Sequence, residues 1–320
     1  MDYWQNITRS FRIAWDHKYL WLIALFSGET GGSFSYNYSQ RQTNRNNTQD
    51  FATVQHQVST WVNDHLGLLI VLAVLWLVLA IAFFILGGIC EGATVRASAE
   101  HDAERPFGLA WAWRAGLGTM WVIVRFRLIL LALVLPLLIL VFAWSAGLVI
   151  AIVNGNGAAV ALLALAGILL FLVGLPYGIY VSFLDRYGSR AVVLEQVGAT
   201  VGLSRANRLL FKRFSRSLLV WLLAIVVSLV MSIVLACVLA IVFLPLILAV
   251  AVSSIGGSFN VLAFVLILIP ILPIALVVQG FLSAQSSTYW TVAFRRLDLD
   301  LAPQQYYYQG SPPPPPQVTP

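Results

Sequence analysis

Five stretches of this chain run for 20 residues or more without a charged side chain: 66–90, 128–153, 158–183, 217–252 and 261–283. At 1.5 Å per residue, a helix of about 20 residues crosses the ~30 Å hydrocarbon core of a bilayer. In lipid every backbone N–H and C=O must find its partner within the protein, so a spanning segment is either a helix or a strand of a closed barrel. Barrel strands alternate every second residue over about 9–11 positions, and these runs do neither. Composition agrees: 60% of the 320 residues are hydrophobic and 10% charged, with a mean hydropathy of +0.85, whereas soluble domains carry roughly a quarter charged residues. The pattern predicts an all-α, polytopic integral membrane protein, with about six transmembrane helices.

Two runs need separate treatment. The 217–252 run, 36 residues long, is too long for one simple crossing and contains Pro245, so a span over 217–243 is expected, followed by a break or a continuation along the outer surface. Gly256 and Gly257 then mark the turn into the last span. The sixth candidate, 19–27, covers roughly 13 Å as a helix, less than half the core. It is a short first span, a re-entrant piece or a signal peptide, and Ala24-Leu25-Phe26-Ser27 fits a cleavage site poorly.

The charges supply an orientation. With 19–27 taken as a crossing, alternate segments between the spans hold 17 of the 19 Lys and Arg residues, and the other three segments share Arg41 and Arg45. Basic residues are retained on the cytoplasmic side, so both termini are expected in the cytoplasm of a bacterium with its protein in the inner membrane. The net charge of +6 therefore points to topology and anionic headgroups rather than to nucleic acid.

Residues 1–301 read as one helical membrane domain and 302–320 as a disordered cytoplasmic tail, with the run of five prolines from Pro312 and the triplet Tyr306-Tyr307-Tyr308. The outer loop, 28–61, is rich in Gly, Ser, Asn, Gln and Thr and too polar to bury a core. Three segments read as amphipathic helices on the inner leaflet. The first carries Trp4, Ile7, Phe11 and Trp15 around Arg9 and Arg12; the second carries Phe107, Trp111 and Trp121 with Arg114, Arg125 and Arg127. In the third, Arg205, Arg208, Lys212 and Arg216 are spaced 3, 4 and 4, one helical face, with Leu203, Leu210 and Phe214 on another. Those four basic residues are the candidate contact with anionic lipid, at about 1 kcal/mol each near the surface. The units begin near residues 4, 106 and 196, a spacing that suggests a threefold internal repeat.

Chemistry at depth is sparse. The long runs hold no ionisable acid or base; Gln279 and the serines Ser145, Ser182, Ser228, Ser232 and Ser283 are the notable polar groups, read first as helix-to-helix hydrogen bonds. Glu91 and Asp185 fall at inner ends within reach of water. Glu100-His101-Asp102 with Glu104 reads as a solvated connector before Pro106. Pro245, Pro270 and Pro273 are candidate helix breaks of the kind that build transporter sites. Cys90 and Cys237 read as packed thiols, and His56 and His65 lack metal-ligand spacing. With no nucleophile elbow, zinc motif or P-loop, no cofactor, no metal and no catalysis are expected.

Three segments suggest a relationship: Arg9-Ser10-Phe11 with His17-Lys18-Tyr19-Leu20-Trp21-Leu22, Ala191-Val192-Val193-Leu194-Glu195 leading into Leu203-Ser204-Arg205, and Tyr289-Trp290 followed by Phe294-Arg295-Arg296-Leu297. Over about residues 1–297 the chain resembles uncharacterised bacterial polytopic membrane proteins, similar to the membrane domain attached to some glycerophosphodiester phosphodiesterases. That resemblance implies a helical inner-membrane domain without the phosphodiesterase's catalytic barrel, so the activity does not carry over. The expected function is a non-enzymatic multi-pass membrane protein, a scaffold or lipid-associated protein. The alternatives are a permease or channel for a small neutral or lipid-like solute, and a membrane subunit serving a separate soluble enzyme. Membrane lipids are the expected partners; a protein partner or self-association is not specified by the residues.

Overall fold

The computed structural model describes residues 3–27, 60–255 and 261–299, and every regular element in them is an α-helix. In chain order these are α1 (Tyr3–Asp16), α2 (Tyr19–Phe26), α3 (Leu66–Asp102), α4 (Leu109–Val153), α5 (Gly157–Glu195), α6 (Ala199–Lys212), α7 (Phe214–Ile255) and α8 (Val261–Leu299). The outer loop from residue 28 to 59, the Gly256 and Gly257 turn and the Pro/Tyr-rich tail lie outside the described residues.

Among the described residues four helices are long and apolar enough to cross a membrane: α3, α4, α5 and the Phe214–Val234 part of α7. Each runs well past its apolar portion. The first half of α3 is exposed almost throughout, with Trp76 72% accessible, as expected of side chains that face lipid. From Gly87 to His101, however, every residue of α3 is buried. The same holds from Tyr187 to Leu194 in α5 and from Ser287 to Phe294 in α8. The tightly packed core is therefore at the charged end of the bundle, built around Phe126, Phe183, Leu184, Tyr187, Trp290 and Phe294. The apolar halves of the helices stand out from it.

Local chemistry explains the turns. Asn156 caps α5, its side-chain oxygen accepting the Ala159 N–H at 3.1 Å, and Gly155 at φ +65° closes the α4–α5 hairpin in a conformation that favours glycine. Gly116 of α4 lies against the Ile89 carbonyl of α3 with no room for a Cβ, so the two backbones approach closely.

Three expectations change. The second amphipathic segment is not a separate interfacial helix; residues 109–127 continue into the span as one helix, α4. The basic face is divided, because α6 ends at Lys212 and Arg216 belongs to α7. The segment 19–27 forms α2, whose last carbonyls reach Gly87 and Arg127, beside the point where the apolar half of α3 ends. Eight residues rise about 12 Å, so α2 packs along the charged end, its Leu20, Ile23 and Ala24 buried, rather than covering the apolar zone. The helical assignment of α7 runs on past Pro245, and that of α8 past Pro270 and Pro273.

Candidate functional site

At the C-terminus of α3, Asp102 would meet the negative end of the helix dipole but for two arginines. Its Oδ1 accepts from Arg9 Nε of α1 at 2.6 Å and its Oδ2 from Arg295 Nη1 of α8 at 2.6 Å. Arg9 also donates to the Asp102 carbonyl, and Arg295 to the Ala99 carbonyl. One carboxylate thus fastens three helices. Two residues earlier Glu100 pairs with Arg96 at 3.1 Å and with Arg105 at 3.4 Å. His101 is 9% accessible; its Nε2 is 2.6 Å from the Tyr19 hydroxyl and its ring stacks on His17 with centroids 3.5 Å apart. Burial and the neighbouring His17 lower the His101 pKa from 6.5 to about 4, which keeps the imidazole neutral. The solvated connector expected at 100–104 is in fact the buried last turn of α3, and Glu104 alone of those acids is largely exposed.

Glu91 is likewise not at a wet boundary. It is 3% accessible and takes two hydrogen bonds from Arg127 of α4, from Nε at 3.0 Å and Nη2 at 2.6 Å. The same Nη2 donates to the Ser27 carbonyl at the end of α2. The sequence signal for this pair is one acid and one base at two adjoining span ends, Glu91 after the run 66–90 and Arg127 before the run 128–153.

On α6, Ala206, Leu209 and Leu210 face the protein. The exposed face carries Val201, Arg208, Phe211 and Lys212. Arg205 is turned back to Glu195 at 3.4 Å, and Arg216, exposed, sits at the start of α7. Of the four predicted contacts, Arg208 and Lys212 share the outer face of α6, alongside two apolar side chains that sequence spacing had not assigned to it. An exposed face that mixes cations with Val and Phe suits the boundary between headgroups and acyl chains.

The polar groups at depth also converge. Ser182, Ser228, Ser232 and Gln279 line one cleft between α5, α7 and α8, of about 730 Å³, together with Arg186 and Gln285 nearer the charged end. The Arg186 guanidinium lies 5.9 Å from the Trp290 ring centre. Ser232 donates to the Ser228 carbonyl, and Ser145, away from this cleft, to the Phe142 carbonyl, so these two hydroxyls bond within their own helices rather than between helices. Cys90 is buried and Cys237 exposed, both as free thiols.

Residues 8–300 match a family described as a family of unknown function, DUF7544. No curated protein and no solved structure matches the chain, and no link to the glycerophosphodiester phosphodiesterases is shown.

Proposed function

The chain belongs to this family of unknown function, and we propose that it is a non-enzymatic, lipid-associated protein of a bacterial inner membrane, with both termini and the charged end of its bundle in the cytoplasm. In this reading the buried ion pairs make the charged end a rigid platform. The outer face of α6 lies on the inner leaflet with Arg208 and Lys212 among anionic headgroups and Phe211 and Val201 among the first methylenes. The observation that carries it is that mixed exposed face. In the same proposal α3, α4, α5, α7 and α8 cross the membrane, α2 enters it from the charged end as the short sixth segment, and the three units form a repeat. The repeat is supported by the way α3, α5 and α8, the last helix of each unit, each contribute a buried stretch to the core.

The test is lipid-dependent stability of the purified protein in nanodiscs. The unfolding temperature is expected to rise with the fraction of phosphatidylglycerol, and the rise is expected to shrink in Arg208→Gln/Lys212→Gln/Arg216→Gln and in high salt, where such contacts are screened. An equal rise in that variant would reject the reading. The permease alternative would use the cleft between α5, α7 and α8, and accelerated solute flux through liposomes would favour it instead.

A further inference from the structure

We infer that the cleft between α5, α7 and α8 holds one anionic phospholipid drawn from the inner leaflet, with its phosphate at Arg186 and an acyl chain lying along α7. This rests on the lipid-associated reading but concerns a different surface from α6.

The shape of the cleft favours such a guest. The Tyr289 hydroxyl of α8 donates to the Val220 carbonyl of α7 at 2.9 Å, and both groups are buried, which ties the two helices at the charged end. Beyond that tie the cleft is lined along α7 from Trp221 to Ala236, about 22 Å of helix, longer than one leaflet of a ~30 Å core. A small ion or sugar would not need that length, and an acyl chain does. Arg186, Gln285 and Ser286 lie toward the charged end, and Ile225, Leu229 and Ile233 follow along α7, interleaved with Ser228 and Ser232.

Charge selects the headgroup. Among the described lining residues Arg186 is the cation and none is a carboxylate. Its planar fork suits two oxygens of one phosphate, and its guanidinium lies 5.9 Å from the Trp290 ring centre, within cation–π range. Arg186 follows the apolar run 158–183 of α5 by three residues, the level of the inner-leaflet phosphates in this reading. The neighbouring cleft, of about 660 Å³, shares Ser182 and Arg186 and adds Arg127, but Glu91 and Asp185 in its lining offset the two cations, which leaves no net attraction for an anion there.

The full-length protein, stripped of lipid in detergent, is to be offered equal amounts of phosphatidylglycerol and phosphatidylcholine, and retained lipid measured by native mass spectrometry. One phosphatidylglycerol per chain is expected, held about tenfold in preference to phosphatidylcholine. Arg186→Gln is expected to abolish the preference and Arg186→Lys to keep most of it. Ser228→Phe, which fills the cleft without touching a charge, is expected to lower retention of both lipids several-fold. The triple α6 variant is expected to retain its lipid. An unchanged preference in Arg186→Gln, or full retention in Ser228→Phe, would overturn the inference. Loss confined to the α6 variant would overturn it too while leaving the lipid-associated reading standing. If Arg186→Gln does not fold, Ser228→Phe decides.

Discussion

Arg127 grips Glu91 with two nitrogens, at 2.6 and 3.0 Å, at the level where the apolar half of α3 ends. Because the same guanidinium also donates to the Ser27 carbonyl, it joins α2, α3 and α4 at the boundary between the exposed spans and the packed end. The carboxylate is almost fully buried and the arginine four-fifths so. Removing one partner therefore leaves the other desolvated.

Glu91→Gln is expected to destabilise the protein by about 3 kcal/mol, the typical cost of an uncompensated buried charge. Thermal unfolding in detergent measures it. The double variant Glu91→Gln/Arg127→Met, which removes the stranded cation as well, is expected to lose less than the single variant.

The α3–α4 contact depends on a missing methyl. A Cβ on Gly116 would meet the Ile89 carbonyl oxygen and lie 3.1 Å from the Ala93 Cβ, and backbone cannot swing aside as a side chain can. Gly116→Ala is expected to cost about 1–3 kcal/mol. Gly118, two residues on in the same helix, faces open space. Gly118→Ala is expected to stabilise by about 0.5–1 kcal/mol, the ordinary helix preference for alanine. Equal effects at the two positions would contradict the close approach.

His101 makes stability pH-dependent. In the unfolded chain its imidazole takes up a proton near pH 6.5, whereas in the fold it does so only near 4. Between those values protons favour the unfolded state, so this contribution is complete above about pH 6.5 and is lost as pH falls toward 4. The unfolding temperature is expected to drop between pH 7 and 5, and His101→Gln is expected to flatten that slope. A wild-type slope in the variant would assign the effect to other groups.

The proposed orientation is open to a labelling test in a chain whose Cys90 and Cys237 have been replaced by Ala. Asn63, three residues before α3, and Asn154, directly after α4, are exposed, and Arg208 is exposed on α6. A membrane-impermeant maleimide added to intact cells is expected to label Asn63→Cys and Asn154→Cys but not Arg208→Cys. Labelling of all three would refute the placement of α6 inside.

The helical character, the long apolar runs and the break between the runs 128–153 and 158–183 were legible in the sequence because each is set locally, by hydrophobicity summed over about 20 neighbours. The clustering of Arg and Lys into alternate segments was legible for the same reason. What pattern reading missed was the fate of polar side chains. Glu100, His101 and Asp102 look like a wet loop because a run of charge before proline usually is one. The partners that bury them, Arg9, Tyr19 and Arg295, are 82 to 193 residues distant. The basic face at 205–216 was similarly legible as a spacing, but not the helix end after Lys212 that divides it, nor the turn of Arg205 toward Glu195.

The sequence alone, then, determined that this chain is helical and apolar enough to cross a membrane, and which of its segments carry the charge. Transfer of a 20-residue run into lipid depends on the run and on nothing else in the chain. Tertiary structure alone decided that the tightest core lies at the charged end, that α2 packs beside that end, and that Ser182, Ser228, Ser232 and Gln279 open onto one cleft. Burying a charge or pairing a hydroxyl is favourable only when a partner from another helix arrives at hydrogen-bond distance, and no local pattern records that arrival.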